Sequence, residues 1–247
     1  KELAATNVAQ PAIGAASIAI ARLLGDFGIG PDMAGGHSYG ELTALWAADV
    51  LSTEQLLELS HRRGELIRQA TLEEGAGGMI AIDGDGETAE RLAADIPGLS
   101  LANINGPQQI VLSGTEEALQ QLAERAAKQQ VRARRLPVAC AFHSPLVAEA
   151  NAPLAEELQT IELGAGELPV YSNVTAEPYP SSADGTRTLL SRHLTSPVQF
   201  RDQVEAMYEA GARVFVEAGP NSVLTGLVGR ILDGRQHAAV ATDVRSE

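Results

Sequence analysis

Apolar and polar positions along the chain follow two periods, and the segments they mark alternate between helix and strand. NVAQPAIGAASIAIARLLGDFGI is rich in Ala and Ile and ends at a Gly-Asp-Phe-Gly break. It predicts a buried helix with Pro11 near its start, followed by a turn at Pro31-Asp32. A short strand over residues 33–36 and a helix over ELTALWAADV would place Ser38 at their junction. Ser52 or Thr53 can cap the next helix, TEQLLELSHRRGELIRQA. There Leu56, Leu59, Leu66, Ile67 and Ala70 form an apolar stripe, with Gln55, Glu58, Arg62, Glu65 and Gln69 opposite. Arg63 falls on the apolar stripe. A guanidinium cannot shed its charge, so burial there requires an anion; otherwise the side chain snorkels to solvent or forms a structural ion pair.

From Gly75 the texture changes. GGMIAI reads as strand, ETAERLAADI as helix, LSLANINGPQQIVLSG as two strands around Asn105-Gly106-Pro107, TEEALQQLAERAAKQQ as helix and VRARRLPVACAF as strand. That order is the order of a ferredoxin-like unit, so residues 75–138 are expected to form an inserted subdomain. After His143 come a helix over SPLVAEANAPLAEELQ, a short strand in LPVYSNV, a polar loop over 178–185 and a helix near TRTLLSRHL. QFRDQVEAMYEAGA is an amphipathic helix, ARVFVEAGP a buried strand and VLTGLVGRIL a helix. The alternation predicts α/β architecture with a mainly parallel sheet.

At 247 residues, 45% hydrophobic and 20% charged, the chain fits one large domain or a domain carrying an insertion. No apolar run reaches the length of a membrane span and no secretory signal is expected. The single cysteine, Cys140, cannot form an internal disulfide, which fits a reducing cytoplasm. A net charge of −14 disfavours nucleic acid, whose phosphates need a basic surface. The densest positive cluster is KQQVRARR, with Lys128, Arg132, Arg134 and Arg135; it is a solvated edge or a site for an acidic partner.

The stretch GGHSYGEL places a Gly two positions before and two after Ser38, a spacing that allows a sharp turn and an exposed hydroxyl. A serine nucleophile needs a base. His37 adjoins Ser38, but neighbours across a tight turn point apart, so it is expected to orient the loop or the substrate. His61 lies on a solvated helix face and His237 in the polar GRQHAA stretch. No pair of histidines has metal-ligand spacing, so no metal is expected. His143, in CAFHSPL, follows a strand and precedes a helix, and by alternation it faces away from Cys140.

Taken in order, QPAIGAASIAIARLL, PDMAGGHSYGE, HRRGELI, LANINGPQQIVLSG, AFHSPLV, SPVQF and VFVEAGPNSVLTGL resemble the malonyl-CoA:acyl carrier protein transacylases and the acyltransferase domains of polyketide synthases. The resemblance spans nearly the whole chain. With the residue patterns it gives the expected fold: α/β, with an α/β-hydrolase-like core over 1–74 and 139–247, a mainly parallel sheet, and the inserted ferredoxin-like subdomain at 75–138.

The resemblance also implies roles. Ser38 is the nucleophile, His143 its base, and Arg63 a bidentate partner for the free malonyl carboxylate. The main-chain carbonyl of His193 steadies the imidazole in place of an acidic residue. The backbone N–H of Tyr39 meets the oxyanion, and a second donor is expected from a Gly-Gln-Gly-rich loop before Lys1. Phe142, before His143, resembles the malonyl-selecting type, where a Ser resembles the methylmalonyl-selecting one. Cys140 and Tyr39 depart from the usual residues, bear on selectivity and hint at an iterative, enediyne-type synthase. No cofactor is bound permanently: malonyl-CoA is the substrate, and phosphopantetheine is carried by the partner, an acyl carrier protein beside neighbouring synthase domains. Neither nucleic acid nor membrane is an expected partner. Two rivals remain at this point, a serine esterase or thioesterase and a catalytically silent carrier-binding scaffold.

Overall fold

The computed structural model describes residues 5–74 and 76–243. The KELA start and Gly75, where the inserted unit was expected to begin, lie outside those residues. Helix α1 (Thr6–Asp26) packs along α3 (Thr53–Glu74), with α2 (Gly40–Ala47) against both. The buried face of α1 is mostly small and polar, Thr6, Gln10, Gly14 and Ser17 with Ile18 as its apolar member, while Val8, Ile13 and Leu23 are exposed. The expected buried helix is therefore corrected to one buried on a single face, where close approach selects small residues. A Cβ on Gly64 of α3 would overlap the backbone of Asn7, and one on Gly14 would overlap the Tyr39 hydroxyl. By length and composition α1, with a mean hydropathy of 1.4, is long and apolar enough to cross a membrane, where the sequence pattern predicted no such segment. In the fold it lies against α3, with Gln10 bonded to Arg63.

Strands β2 (Gly78–Asp83), β3 (Leu99–Gly106), β4 (Gln109–Gly114) and β5 (Ala133–Arg135) form an antiparallel sheet in the order β3-β4-β2-β5. Helices α4 (Gly86–Ala93) and α5 (Glu116–Lys128) cover one face. Asp85 and Thr115 cap them by accepting from the N–H groups of Thr88 and Ala118. The period-two pattern of β2 divides its side chains: Ile80 and Ile82 join Leu92, Leu112, Leu119 and Leu122 under the helices. Each such fully buried leucine contributes about 2 kcal/mol. Met79 and Ala81 face the other way, with Ala102, Val111, Leu136 and Phe142. The sheet is stitched to the rest of the chain through Val198, whose N–H donates to Ala102 O and whose carbonyl accepts from Ile104 N, each at 2.8 Å.

The remaining strands are parallel. β1 (Ala34–Gly35) pairs with β6 (Val170–Tyr171), and β7 (Val214–Glu217) with β8 (Ala238–Ala241). Among the described residues the expected mainly parallel sheet takes the form of these two separate pairs. β7 was expected to be buried, yet Val214 and Val216 are exposed, and β8 was not anticipated. The strand expected over VRARRLPVACAF stops at Arg135. Pro137 has no N–H to continue the ladder, so Cys140 and His143 sit in irregular chain and strand alternation does not govern them. A 3₁₀ turn (Pro145–Ala150) precedes α6 (Asn151–Thr160), and α7 (Ala183–Arg192), α8 (Phe200–Glu209) and α9 (Val223–Ile231) follow as their periodicity predicts. A core containing Leu42, Leu45, Leu56, Leu59, Ile67, Leu154 and Leu158 joins α2, α3 and α6 beneath the Ser38 turn.

Candidate active site

β1 delivers the chain to a turn that only glycine permits at position 36, because a Cβ there would overlap the Gly40 carbonyl group. A Cβ at Gly40 would meet nothing, so of the two flanking glycines only Gly36 is sterically required. Ser38 itself has φ +51°, in the left-handed region that side chains other than glycine rarely adopt. Its Oγ lies 2.7 Å from His143 Nε2. His143, also left-handed at φ +56°, is buried. Its Nδ1 faces two carbonyl oxygens, His193 O at 3.2 Å and Ser196 O at 3.0 Å. Carbonyls only accept, so the Nδ1 proton points at them and the Nε2 lone pair is left for the Ser38 hydroxyl. Burial, then the cation of Arg63, then His37 push the imidazole down to about 3, which keeps it neutral at neutral pH. A hydroxyl donating to a neutral imidazole can lose its proton as it attacks an electrophile.

Arg63 neither snorkels nor forms an ion pair. It is 3% exposed. Its Nη1 donates to Gln10 Oε1 at 2.7 Å and its Nη2 to His193 Nδ1 at 3.4 Å. Both acceptors are neutral, and among the described residues no carboxylate lies within 4.0 Å of the guanidinium. Burial lowers it to about 10, which leaves it charged at neutral pH. Glu41, fully buried on α2, does not supply the missing anion in full. Desolvation pushes its carboxyl up to about 7 despite hydrogen bonds from Tyr179 Oη and Asn173 N and the charge of Arg63. Glu41 Oε2 is 3.6 Å from His193 Nε2. The His193 ring is held neutral by burial and by Arg63, His143 and His37.

His37 is drawn away from Ser38: its Nε2–H donates to Asn105 Oδ1 at 2.7 Å, and its ring tilts against Phe200 at 5.3 Å. The Tyr39 ring packs in the α1–α3 core with its hydroxyl 2.8 Å from Ser60 Oγ, while its backbone N–H, at the start of α2, enters none of the backbone hydrogen bonds of the described residues. Phe142 is half-buried between the main core and the face of the antiparallel sheet opposite α4 and α5. Cys140 is buried, and desolvation pushes its thiol up to about 12. His61 and His237 face the backbone oxygens of Asn7 and Arg235, outside this cluster. In the basic stretch, Arg132 lies 3.8 Å from Asp83 and Arg135 pairs with Glu116. The second oxyanion donor expected before Lys1 lies outside the described residues.

Sequence reasoning did not pick out Gln10, Glu41, Asn105, Asn173, Tyr179 or Ser196. Two carried a usable signal. Glu41 is the one charged residue of a mostly apolar helix, and Asn173 follows the strand that pairs in parallel with the one leading to Ser38, where α/β proteins gather polar groups. Gln10 and Ser196 act through contacts that no local pattern reveals.

A family model described as acyl transferase domain matches residues 1–245. The malonyl CoA-acyl carrier protein transacylase of Bacillus subtilis is 37% identical over 238 residues, which are 94% of this chain and 74% of that protein. A polyunsaturated fatty acid synthase polypeptide of a Thraustochytrium species is also 37% identical, over 94% of this chain but 8% of its own length, so the chain spans only a small part of that relative. Among solved structures, a malonyl-transacylase in complex with a type II polyketide synthase acyl-carrier protein superposes with a TM-score of 0.91 at 36% identity, covering 98% of this chain and 80% of that one. The acyltransferase domain of an iterative polyketide synthase in enediyne biosynthesis gives 0.85 at 37% identity, covering 98% and 62%. With the family match running over residues 1–245, this chain belongs to the acyl transferase domain family.

Proposed function

We propose that the chain transfers a malonyl group from malonyl-CoA, through an ester on Ser38, to the phosphopantetheine thiol of an acyl carrier protein in polyketide biosynthesis. The observation that carries this reading is the buried Arg63 cation, which has two neutral acceptors and, among the described residues, no carboxylate within 4.0 Å, beside the Ser38–His143 pair. A malonyl group brings the missing carboxylate. A plain acyl group would leave the charge stranded.

In this mechanism Ser38 Oγ attacks the thioester carbonyl carbon as its proton passes to His143 Nε2. The oxygen that becomes negative is met by the N–H of Tyr39, where the α2 dipole also favours it. Collapse expels the coenzyme A thiolate, which takes the proton from His143. The carrier thiol then gives its own proton to His143 and attacks the Ser38 ester, and Ser38 leaves with that proton. The carbonyls of His193 and Ser196 hold the imidazole tautomer throughout. Because two main-chain carbonyls face His143 Nδ1, the acid–base arrangement of an esterase triad, with a carboxylate there, is not favoured.

Phe142 is the residue we assign to excluding an α-methyl group, with Cys140 and the Tyr39 ring shaping the core behind it. His37 orients the loop through Asn105. The carrier protein is the partner, with coenzyme A thioester as donor, neighbouring synthase domains as context, and the cytoplasm as compartment; membrane and nucleic acid are not partners in this reading. The likeness to the iterative enediyne-type acyltransferase supports a synthase setting. The β2–α4–β3–β4–α5–β5 order and the β3-β4-β2-β5 sheet support a ferredoxin-like subdomain at 75–138 inserted in an α/β-hydrolase-like core of 1–74 and 139–247.

Intact-protein mass after brief exposure to malonyl-CoA tests the reading, with methylmalonyl-CoA in parallel and Ser38→Ala as control. A malonyl adduct absent from the variant is expected. A folded protein that takes up no adduct would favour the scaffold reading instead.

A further inference from the structure

Asn173 is fully buried two residues after the end of β6, and every polar atom it owns is engaged around the Ser38 turn. Its Oδ1 accepts from Ser38 N at 2.6 Å, and its Nδ2 donates to Gly36 O at 2.7 Å and to Gln203 Oε1 at 3.1 Å. Its backbone N–H donates to Glu41 Oε2 at 2.6 Å, and its carbonyl accepts from Gln199 N at 3.0 Å. Gln203 is anchored in turn by donating to Tyr171 O at 2.6 Å. One amide therefore grips the backbone on both sides of His37, and the residue it holds at its C-terminal end has the uncommon φ of +51°.

We infer that Asn173 is a positioning residue, which locks the backbone of Ser38 in its left-handed conformation and so holds Oγ on His143. The clamp has a second consequence. The Ser38 N–H is already spent on Asn173, so it is not a donor to a developing oxyanion, and that work falls to the next N–H, that of Tyr39. Without the clamp, Ser38 relaxes toward ordinary backbone angles and Oγ leaves the imidazole, whereas the Arg63 pocket on α3 is untouched.

This inference rests on Ser38 being the reactive group of the proposed function, so the test uses two reagents. One is malonyl-CoA. The other is a small fluorophosphonate that reports Ser38 reactivity whatever the natural acyl group. For N173A, both labelling and malonyl loading are expected to fall about 100-fold. The Kd of malonyl-CoA, measured by calorimetry in a Ser38→Ala background with and without N173A, is expected to stay within about threefold because the carboxylate contact remains. Labelling at the unaltered rate, or a Kd weakened by the same factor as the rate, overturns the inference. If N173A does not fold, N173D serves: it keeps the acceptor for Ser38 and loses the donor to Gly36. A loss of about tenfold is then expected, and an unchanged rate in the folded variant overturns the inference. An unaltered protein that takes the fluorophosphonate at Ser38 but no malonyl group would sink the functional reading, and the clamp would still be judged on the fluorophosphonate rates.

Discussion

Replacing Arg63 with Met separates a carboxylate clamp from a structural cation. In the wild type the guanidinium is 3% exposed and, among the described residues, donates to Gln10 and His193. In the variant, a bound malonyl group keeps its carboxylate in the same buried position with no partner. Stranding one member of a buried ion pair costs about 3–5 kcal/mol. At about 1.4 kcal/mol per decade that is a loss of roughly 10²–10⁴ in the rate of malonyl loading at limiting substrate. An acetyl thioester has no carboxylate to strand, so its loading is expected to change by no more than about tenfold. Removing an unpaired charge stabilises the fold, while leaving Gln10 Oε1 without its donor destabilises it. The two effects are of opposite sign and each about 1–3 kcal/mol, so Tm is expected to stay within about 5 °C. The assay is single-turnover loading of Ser38 from radiolabelled malonyl-CoA and acetyl-CoA, with the protein confirmed folded. Equal losses for the two thioesters would refute the reasoning, because a merely structural arginine affects both alike.

Because burial and Arg63 hold His143 down to about 3, fluorophosphonate labelling of Ser38 is expected to stay flat from neutral pH into the acid range. In Arg63→Met its acid limb moves to higher pH; a wild-type limb near the ordinary histidine value of about 6.5 would contradict this. Glu41, pushed up to about 7 by burial, keeps its proton in the folded chain between its unfolded value of 4.5 and about 7, where the unfolded chain releases it. Stability therefore falls as pH rises through that window, by up to about 3 kcal/mol, and Glu41→Gln flattens the difference in Tm between roughly pH 5 and 8. Phe142→Ser opens space for one methyl group, and the preference for malonyl-CoA over methylmalonyl-CoA in competition is expected to fall by about tenfold or more. Reversing the charge at Arg132 and Arg135 breaks their pairs with Asp83 and Glu116; if this edge docks the carrier, transfer at low salt slows and the effect fades with added salt, while loading from coenzyme A is unchanged.

The helices were legible because each carries its own amphipathic period, and the antiparallel sheet because a tight turn joins β3 to β4 and capped helices link the other strands. Strand ends were less legible. The stretch after Arg135 has the composition of a strand, but a proline and the packing of His143 against two carbonyls decide otherwise. The same holds for α1, whose apolar composition reads as burial although the fold buries a mostly small and polar face.

By itself the sequence determined the sharp turn at Gly36, the hydroxyl at Ser38, the anomalous arginine on an apolar stripe and a histidine at a loop before a helix. These are local: glycine sterics, residue chemistry and helical spacing are properties of neighbouring residues. Only the tertiary structure decided which groups meet. Ser38 reaches His143 across 105 positions, and Asn173 reaches back to Ser38 across 135. It also decided that Arg63 is buried beside two neutral acceptors with no carboxylate within 4.0 Å among the described residues, and that Glu41 sits fully desolvated. Charge, pKa and strain at the site depend on what the fold removes from water and what it leaves unpaired, and no stretch of residues read alone contains that information.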